Sequence, residues 1–521
     1  MYLNLDANVV AAETVMIESL FWGALLRLFQ VFVFSTLWIV FGFFIAAIFR
    51  VIVGPVRIRN LFGGRGWKGL VLGWIWGMLL PVCSLGAIPV VRELHRAGVR
   101  GGTLIAFALT VPLFNPLSVL YGLTLSDPFA ILTFALCSLV IVSLVGLLWD
   151  WWFADGEPNV TIDEPAVEVG WKRMVALFRT ATEMIFTSAT LYILVGIAGS
   201  VIVSVFLPHG AMSTMLEREN LAAPITVAAL GLPIYSTPLL AMSQIGSMFQ
   251  HGNSIGAAFS LLIFGAGINL GILLCFWRLM GGRRMLVFLL LLAICSLSIA
   301  FLISEPLFPK GVEVAGHTHA FDVYTNPFPG SGNYRTMALN QMVQHWQQNE
   351  IGGTMLLGGM FCVGLFFKIL QRSERLDKWL LAKSEGRKKD IVLPDWVIAS
   401  VSIVGLLVFS VAGCYIYYPP TVETLEQMQT VNLDVNEAKF GRWETALRGI
   451  EAQAAWSRSL EVGTFIRTGQ LSTYHRFKAQ ILRDRLEHLR HAVEDQDLEQ
   501  AKILARQADI AFRRLARAYR R

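Results

Sequence analysis

Leu80-Pro81-Val82-Cys83-Ser84-Leu85-Gly86-Ala87-Ile88-Pro89 and Gly231-Leu232-Pro233-Ile234-Tyr235-Ser236-Thr237-Pro238 each interrupt apolar sequence with prolines and small polar residues. Each is followed by a glycine and then by an apolar stretch of membrane length that carries one asparagine, Asn115 or Asn269. Broken backbone survives at membrane depth only where its freed N–H and C=O groups face protein or a water-lined cavity. Two such breaks in matching places predict a binding region between two repeats of a membrane carrier.

Composition sets the class. Hydrophobic residues make up 55% of the 521 and charged residues only 15%, against about 25% charge in an ordinary soluble domain. A spanning helix needs roughly 20 mostly apolar residues. Stretches of that kind lie near 20–49, 102–125, 128–150, 175–207, 254–277, 285–304, 352–371 and 396–418. The broken stretches 69–91 and 222–249 read as re-entrant hairpins. The net charge of +6 sits largely in short loops between spans, where topology places it, so no nucleic-acid partner is expected. The six cysteines are scattered over separate apolar segments, without metal-finger spacing or a disulfide framework. No basic residue precedes Arg27, so the start does not read as a secretory signal.

Basic residues orient the spans. Arg50, Arg57, Arg59, Arg65 and Lys68 follow the first span, Arg278, Arg283 and Arg284 lie near 278–284, and seven Lys and Arg residues fill 372–395. These loops are expected in the cytoplasm, and 1–19, 124–127, 208–221 and 305–351 outside. Eight spans and two hairpins then leave both termini extracytoplasmic. Thr36-Leu37-Trp38-Ile39-Val40-Phe41-Gly42 also resembles Thr190-Leu191-Tyr192-Ile193-Leu194-Val195-Gly196, an offset of 190 − 36 = 154. Gly98 and Gly252, Gly102 and Gly256, and Asn115 and Asn269 keep the same offset, whereas Pro89 and Pro238 differ by 149, which suggests hairpins of unequal length. Three spans plus a hairpin is an odd number of crossings, so the second copy is expected to be inverted.

Cys83-Ser84-x-Gly86-Ala87-Ile88-Pro89, Arg96-Ala97-Gly98, Ala106-Phe107 and Pro112-Leu113-Phe114-Asn115-Pro116 form one signature. Gly231-Leu232-Pro233-Ile234-Tyr235-Ser236-Thr237-Pro238, Gly256-Ala257-Ala258-Phe259 and Gly265-Ala266-Gly267-Ile268-Asn269 form a second. Together they resemble a bacterial family of predicted permeases, one that includes the trivalent organoarsenical efflux permeases. The resemblance covers roughly residues 20–304 and implies a multi-pass transporter of the bacterial inner membrane. The family often has a second cysteine where Leu85 stands, and another where this chain reads Tyr235-Ser236-Thr237. A soft metalloid wants two or three thiolates and Cys83 stands alone, so the resemblance supports a permease more than arsenical efflux.

The candidate substrate-binding residues are Asn115, Asn269, Cys83, Ser84, Ser236 and Thr237. Cys83 also fits as a small side chain where half-helices touch. The two asparagines could instead bond the broken backbone, and the hydroxyls could cap half-helices. Half-helix N–H groups would suit an anionic or strongly polar solute. For energy coupling, Glu93, His95, Glu183 and Arg27 are the ionisable candidates; an ion pair between Glu93 and nearby arginines, and snorkelling of Arg27 and Glu183, are the plainer readings. No cofactor is expected, and no phosphate-cradling Gly-x4-Gly-Lys-Ser/Thr loop occurs. His317 and His319 make a His-x-His in the external loop that could hold a metal, although a solvated loop is the simpler reading.

After Pro419-Pro420 charges and helix formers take over. Segments 434–462, 471–494 and 497–519 read as amphipathic helices, a hairpin or three-helix bundle outside the membrane. Its basic end, Arg513, Arg514, Arg517, Arg520 and Arg521, reads as a solvated face, with anionic lipid or an acidic protein as alternative partners. The expected whole is an all-α membrane protein. Residues 1–150 form one repeat and 151–304 an inverted second. Residues 305–351 make an external loop, 352–418 two further spans and 419–521 an extracytoplasmic helical domain. The expected function is a permease carrying a small molecule or ion by alternating access, not an enzyme. A non-transporting scaffold or sensor that recruits a partner through its external helices is the alternative.

Overall fold

A computed structural model of the chain describes residues 2–63, 66–125, 127–153, 170–208, 210–212, 215–309, 320–328, 333–347, 351–370 and 394–520. His317 and His319 lie outside these residues, as does most of the basic loop 372–395. The described chain is helical, and its one β-contact is an isolated bridge between Glu217 and Asn253. It divides into two compact units, Met1–Ser118 with Leu132–Leu407, and Val119–Ile131 with Val408–Arg521.

In the first half, α1 (Tyr2–Ile48) is followed by a π-helical turn (Phe49–Val53) and then by α2 (Pro55–Leu61), α3 (Trp67–Leu79), α4 (Ser84–Arg96), α5 (Gly101–Leu113), α6 (Pro116–Leu125) and α7 (Pro128–Trp152). The second half continues with α8 (Trp171–Met184), α9 (Ser188–Phe206), α10 (Ala223–Gly231), α11 (Pro238–Gln250), α12 (Ile255–Ser260), a π-helical segment (Leu261–Gly267), α13 (Leu270–Met280) and α14 (Gly282–Ser304). The starts of α4, α5, α6 and α7 at 84, 101, 116 and 128 recur at 238, 255, 270 and 282, each 154 residues later.

This spacing corrects the proline comparison. Pro89 lies inside α4, whereas Pro238 is the first residue of α11, where a missing N–H is tolerated. The two prolines are not counterparts, so the 149-residue interval implies no difference in hairpin length. A second correction concerns 175–207, expected as one span. The chain ends α8 at Met184 and restarts at Ser188, where the Thr187 hydroxyl accepts from the Ala189 N–H.

Among the described residues, six helices are long and apolar enough to cross a membrane: Val15–Val53, Pro128–Trp152, Ser188–Phe206, Gly282–Ser304, Ile351–Ile369 and Ala399–Tyr417. The pairs 101–113 with 116–125 and 255–267 with 270–280 bring the number to eight if each counts as one span, bent by 50° and 59°. α7 shows how such a helix divides its surface. Leu136, Val140, Leu144 and Leu147 recur every three or four residues and are exposed, while Phe134, Ile141, Val145 and Trp149 are buried. An apolar stripe of that size is a liability in water and natural against lipid.

α3 and α5 pack side by side and run parallel: Gly73 lies against Thr103, and four residues on Gly77 lies against Phe107 and Thr110. α4 must therefore travel back, so that α5 starts level with the start of α3. The same holds later, where Pro224 meets Gly256 and Gly231 meets Phe264 and Gly265, which makes α11 the returning arm. Both starts are tied alike. The Gly102 N–H donates to Asp150 Oδ1 at 2.8 Å, and the Gly256 N–H to Ser304 Oγ at 3.4 Å.

Beyond α14 come α15 (Tyr334–Gln347), α16 (Ile351–Leu370) and α17 (Asp395–Tyr417). In the second unit, α18 (Thr421–Asn436), α19 (Trp443–Thr468), α20 (Thr473–Glu494) and α21 (Leu498–Arg520) enclose a core that includes Leu425, Met428, Ile450, Leu482, Leu486, Leu489, Phe512 and Leu515. There are four helices where three were expected. The helical sequence begins at Thr421 and breaks at Gly441, whose φ of 72° suits glycine.

Candidate functional site

Four helix breaks in the first unit meet: residues 80–83, 114–115, 232–237 and 268–269. At the first, Pro81 removes one donor, the Val82 N–H turns back to the Leu80 carbonyl at 2.9 Å, and the Cys83 thiol caps α4 by accepting from the Gly86 N–H at 3.4 Å. At the third, the Tyr235 N–H donates to Ser200 Oγ on α9 at 2.7 Å and the Ser236 N–H to the Gly265 carbonyl at 3.2 Å. Thr237 caps α11, accepting from the Leu240 N–H at 3.3 Å. Cys83 and Thr237 thus do the same job 154 residues apart, and these freed N–H groups find protein acceptors, as an apolar surround demands.

The asparagines were expected inside apolar spans, and they sit instead at breaks within them. The sequence Pro112-Leu113-Phe114-Asn115-Pro116 explains the first, because a residue before proline is pushed out of the α region. Asn115 Oδ1 accepts from the Ser118 N–H at 2.8 Å, and Asn269 Oδ1 accepts from the Ile272 N–H at 3.0 Å. Each caps the half-helix that follows it. Their amide nitrogens part company. Asn269 Nδ2 donates to Ser84 Oγ at 2.8 Å, joining the second half to the first break, while Asn115 Nδ2 has no partner among the described residues although Asn115 is only 2% exposed.

Side chains from the other breaks close around this bond. Tyr235 lies beside Cys83, and its hydroxyl lacks a well-formed hydrogen bond. Leu113, next to the second break, packs on Gly267, next to the fourth. The Ser236 hydroxyl donates to the Thr237 carbonyl at 3.2 Å. Of the expected residues, Cys83, Ser84, Asn115, Asn269 and Ser236 are buried and Thr237 is half-buried. Cys83, Ser84 and Asn269 form one contiguous group, and Thr237 serves its own helix start.

Sequence reasoning missed Ser200, Tyr235, Gln244 and Tyr324. The Tyr324 hydroxyl donates to Gln244 Oε1 at 3.1 Å, Gln244 Nε2 donates to the Ala320 carbonyl at 2.8 Å, and Tyr324 also lies beside Ser236. An amide in the middle of the largely apolar α11 was a usable signal for Gln244, whereas nothing in the loop sequence marked Tyr324.

Three of the four ionisable candidates, Glu93, Glu183 and Arg27, are engaged. Glu93 on α4 accepts from both Arg50 Nε, at 2.9 Å, and Arg50 Nη2, with Arg96 at 3.9 Å. The ion pair anticipated within α4 is therefore dominated by a partner on the turn after α1. Glu183 pairs with Arg179 at 2.6 Å. Arg27 does not only snorkel; it donates to the Thr325 and Asp322 carbonyls and to Gln30. Among the described residues no group of three His, Cys, Asp or Glu side chains could hold a metal.

Comparison with known proteins covers this same region. A family described as predicted permease matches residues 22–305. The UPF0718 protein YcgR of Bacillus subtilis (strain 168) is 24% identical over 271 residues, 50% of this chain and 90% of that protein. No solved structure matches. The match spans both pairs of broken helices and ends one residue past α14, so this multi-pass membrane chain belongs to the predicted-permease family.

Proposed function

We propose that the protein carries a small polar solute across the bacterial inner membrane by alternating access, binding it where the four breaks meet. Asn115, Asn269, Cys83, Ser84, Ser236 and Thr237 would contact the solute. The carrying observation is the unpartnered Asn115 Nδ2. A buried amide donor without an acceptor costs about 1–3 kcal/mol, a penalty that a solute with an acceptor atom would relieve. Family membership favours a transporter over an enzyme. The recurring interval of 154 residues supports two repeats, and the parallel packing of α3 with α5 supports a hairpin that enters and leaves on one face. With three crossings and one hairpin per repeat, the second copy would be inverted and its site would lie near the bilayer midplane. The basic loops would face the cytoplasm, and both termini and the C-terminal helices the outside.

The test is thiol labelling of Ser84→Cys and Ser236→Cys in a background lacking the native cysteines. The reading expects reaction from each side of the membrane, in proportions that shift when Asn115 or Asn269 is replaced. Absence of labelling from both sides under every condition would overturn it, and would favour a scaffold that recruits partners through its C-terminal helices.

A further inference from the structure

We propose that the groove between α20 and α21 is a binding site for a phosphate-bearing anion. Tyr474, Lys478, Arg514, Arg517 and Ala518 line a space of about 270 Å³. Three of the five are cations, none is a carboxylate, and Lys478, Arg514 and Arg517 have no acidic partner among the described residues. Other arginines on the same two helices do: Arg513 pairs with Asp509 at 2.9 Å and Arg490 with Glu494 at 2.7 Å. Like charges gathered without a counter-charge repel one another, and an anion in the groove would reverse the sign of that interaction.

The geometry selects the anion's chemistry. Arg514 and Arg517 are three residues apart on one helix, so their guanidinium groups share a face and offer planar forks suited to phosphate oxygens. The Lys478 ammonium lies 5.2 Å from the Tyr474 ring and 5.6 Å from the Phe477 ring, which holds it beside the groove. Tyr474 is in the first turn of α20, and His475 meets the Ala518 carbonyl near the end of α21 at 3.1 Å, so the opposed helix ends offset each other and the side-chain cations set the field of the groove. Three positive side chains match a multiply charged tetrahedral group better than one carboxylate. A lipid headgroup and a free phosphate share this chemistry. The inference does not depend on the transport reading.

The test uses the full chain in phosphatidylcholine nanodiscs, with hydrogen exchange followed at residues 473–478 and 514–518. Phosphatidylglycerol is titrated into the discs in one series, and inorganic phosphate into the buffer in another. Protection of both segments is expected. Protection by the lipid alone identifies a headgroup site, and protection by the free ion identifies a soluble ligand. Replacing Lys478, Arg514 and Arg517 together with Gln should weaken the apparent affinity roughly tenfold or more, while Arg513→Gln should leave it unchanged. No protection in either series, or protection that survives in the triple variant, overturns the proposal.

Discussion

Asn269 and Asn115 perform the same capping task and differ by one hydrogen bond. Replacing Asn115 with Ala removes a cap worth about 1 kcal/mol. Replacing Asn269 with Ala removes its cap and also strips Ser84 of its donor, so the larger loss is expected there. Unfolding of the detergent-solubilised protein should rank Asn269→Ala below Asn115→Ala. In a double-mutant cycle, Ser84→Ala and Asn269→Ala should couple by about 0.6 kcal/mol, a typical value for side-chain bonds between membrane helices. Additive effects would mean that the contact does not contribute. This asymmetry was invisible in the sequence, where Asn115 and Asn269 look interchangeable. Their equal spacing revealed a shared role, but which nitrogen finds Ser84 depends on how far two distant breaks approach each other.

At the level of helices, two glycines set those approaches. A methyl group at Gly199 of α9 would overlap the Pro233 carbonyl, and one at Gly42 of α1 would overlap the Gly86 carbonyl. Backbone cannot yield as a side chain can, so Gly199→Ala should cost about 1–3 kcal/mol and push α9 away from the break it supports through Ser200. Enhanced thiol reactivity of Tyr235→Cys in that variant is the expected readout, compared with Gly358→Ala, where nothing lies within 4 Å. In the C-terminal helices the decisive group is Glu461, ion-paired with Arg483 at its core. Burial outweighs Arg483 and raises the Glu461 carboxyl above its usual 4.5. A raised acid favours folding in its protonated form, so its contribution is complete below 4.5 and is lost as pH rises through the raised value. Acidifying the full chain from neutral towards that range should raise the protection factors of 443–494, taken relative to intrinsic exchange at each pH, and Glu461→Gln should abolish that rise.

For the whole chain, the apolar lengths announced the six to eight candidate spans found among the described residues, because the hydrocarbon thickness leaves little choice of length. Where each segment bends was harder to read. Asn115 and Asn269 were recognised as exceptional polar residues, yet within an apolar run they carry no mark that separates a mid-helix amide from a cap. Thr187 illustrates the same gap at 175–207, since one hydroxyl and a three-residue turn vanish inside an apolar average. Tyr324 and Gln244 meet only after the loop folds back, a non-local fact. The expected topology can be checked directly. Reporter enzymes fused after residue 420 should be active on the extracytoplasmic side, whereas fusions within 372–395 should be active in the cytoplasm; the opposite pattern would invert every assignment based on the basic loops.

The segment Leu261–Gly267 winds as a π-helix while its counterpart, 107–113 of α5, is ordinary α-helix. A π turn closes its hydrogen bonds one residue further along than an α turn, so rewinding it as α-helix would rotate everything downstream, each residue of shift counting for about 100°. Asn269 stands two positions past that slack, so tightening the coil would twist its amide off Ser84 and act as a ratchet pawl between the two halves. Deleting one residue from 261–267 should keep the protein in the membrane yet erase the coupling measured between Ser84 and Asn269; coupling that survives the deletion would show that the slack does not control the latch.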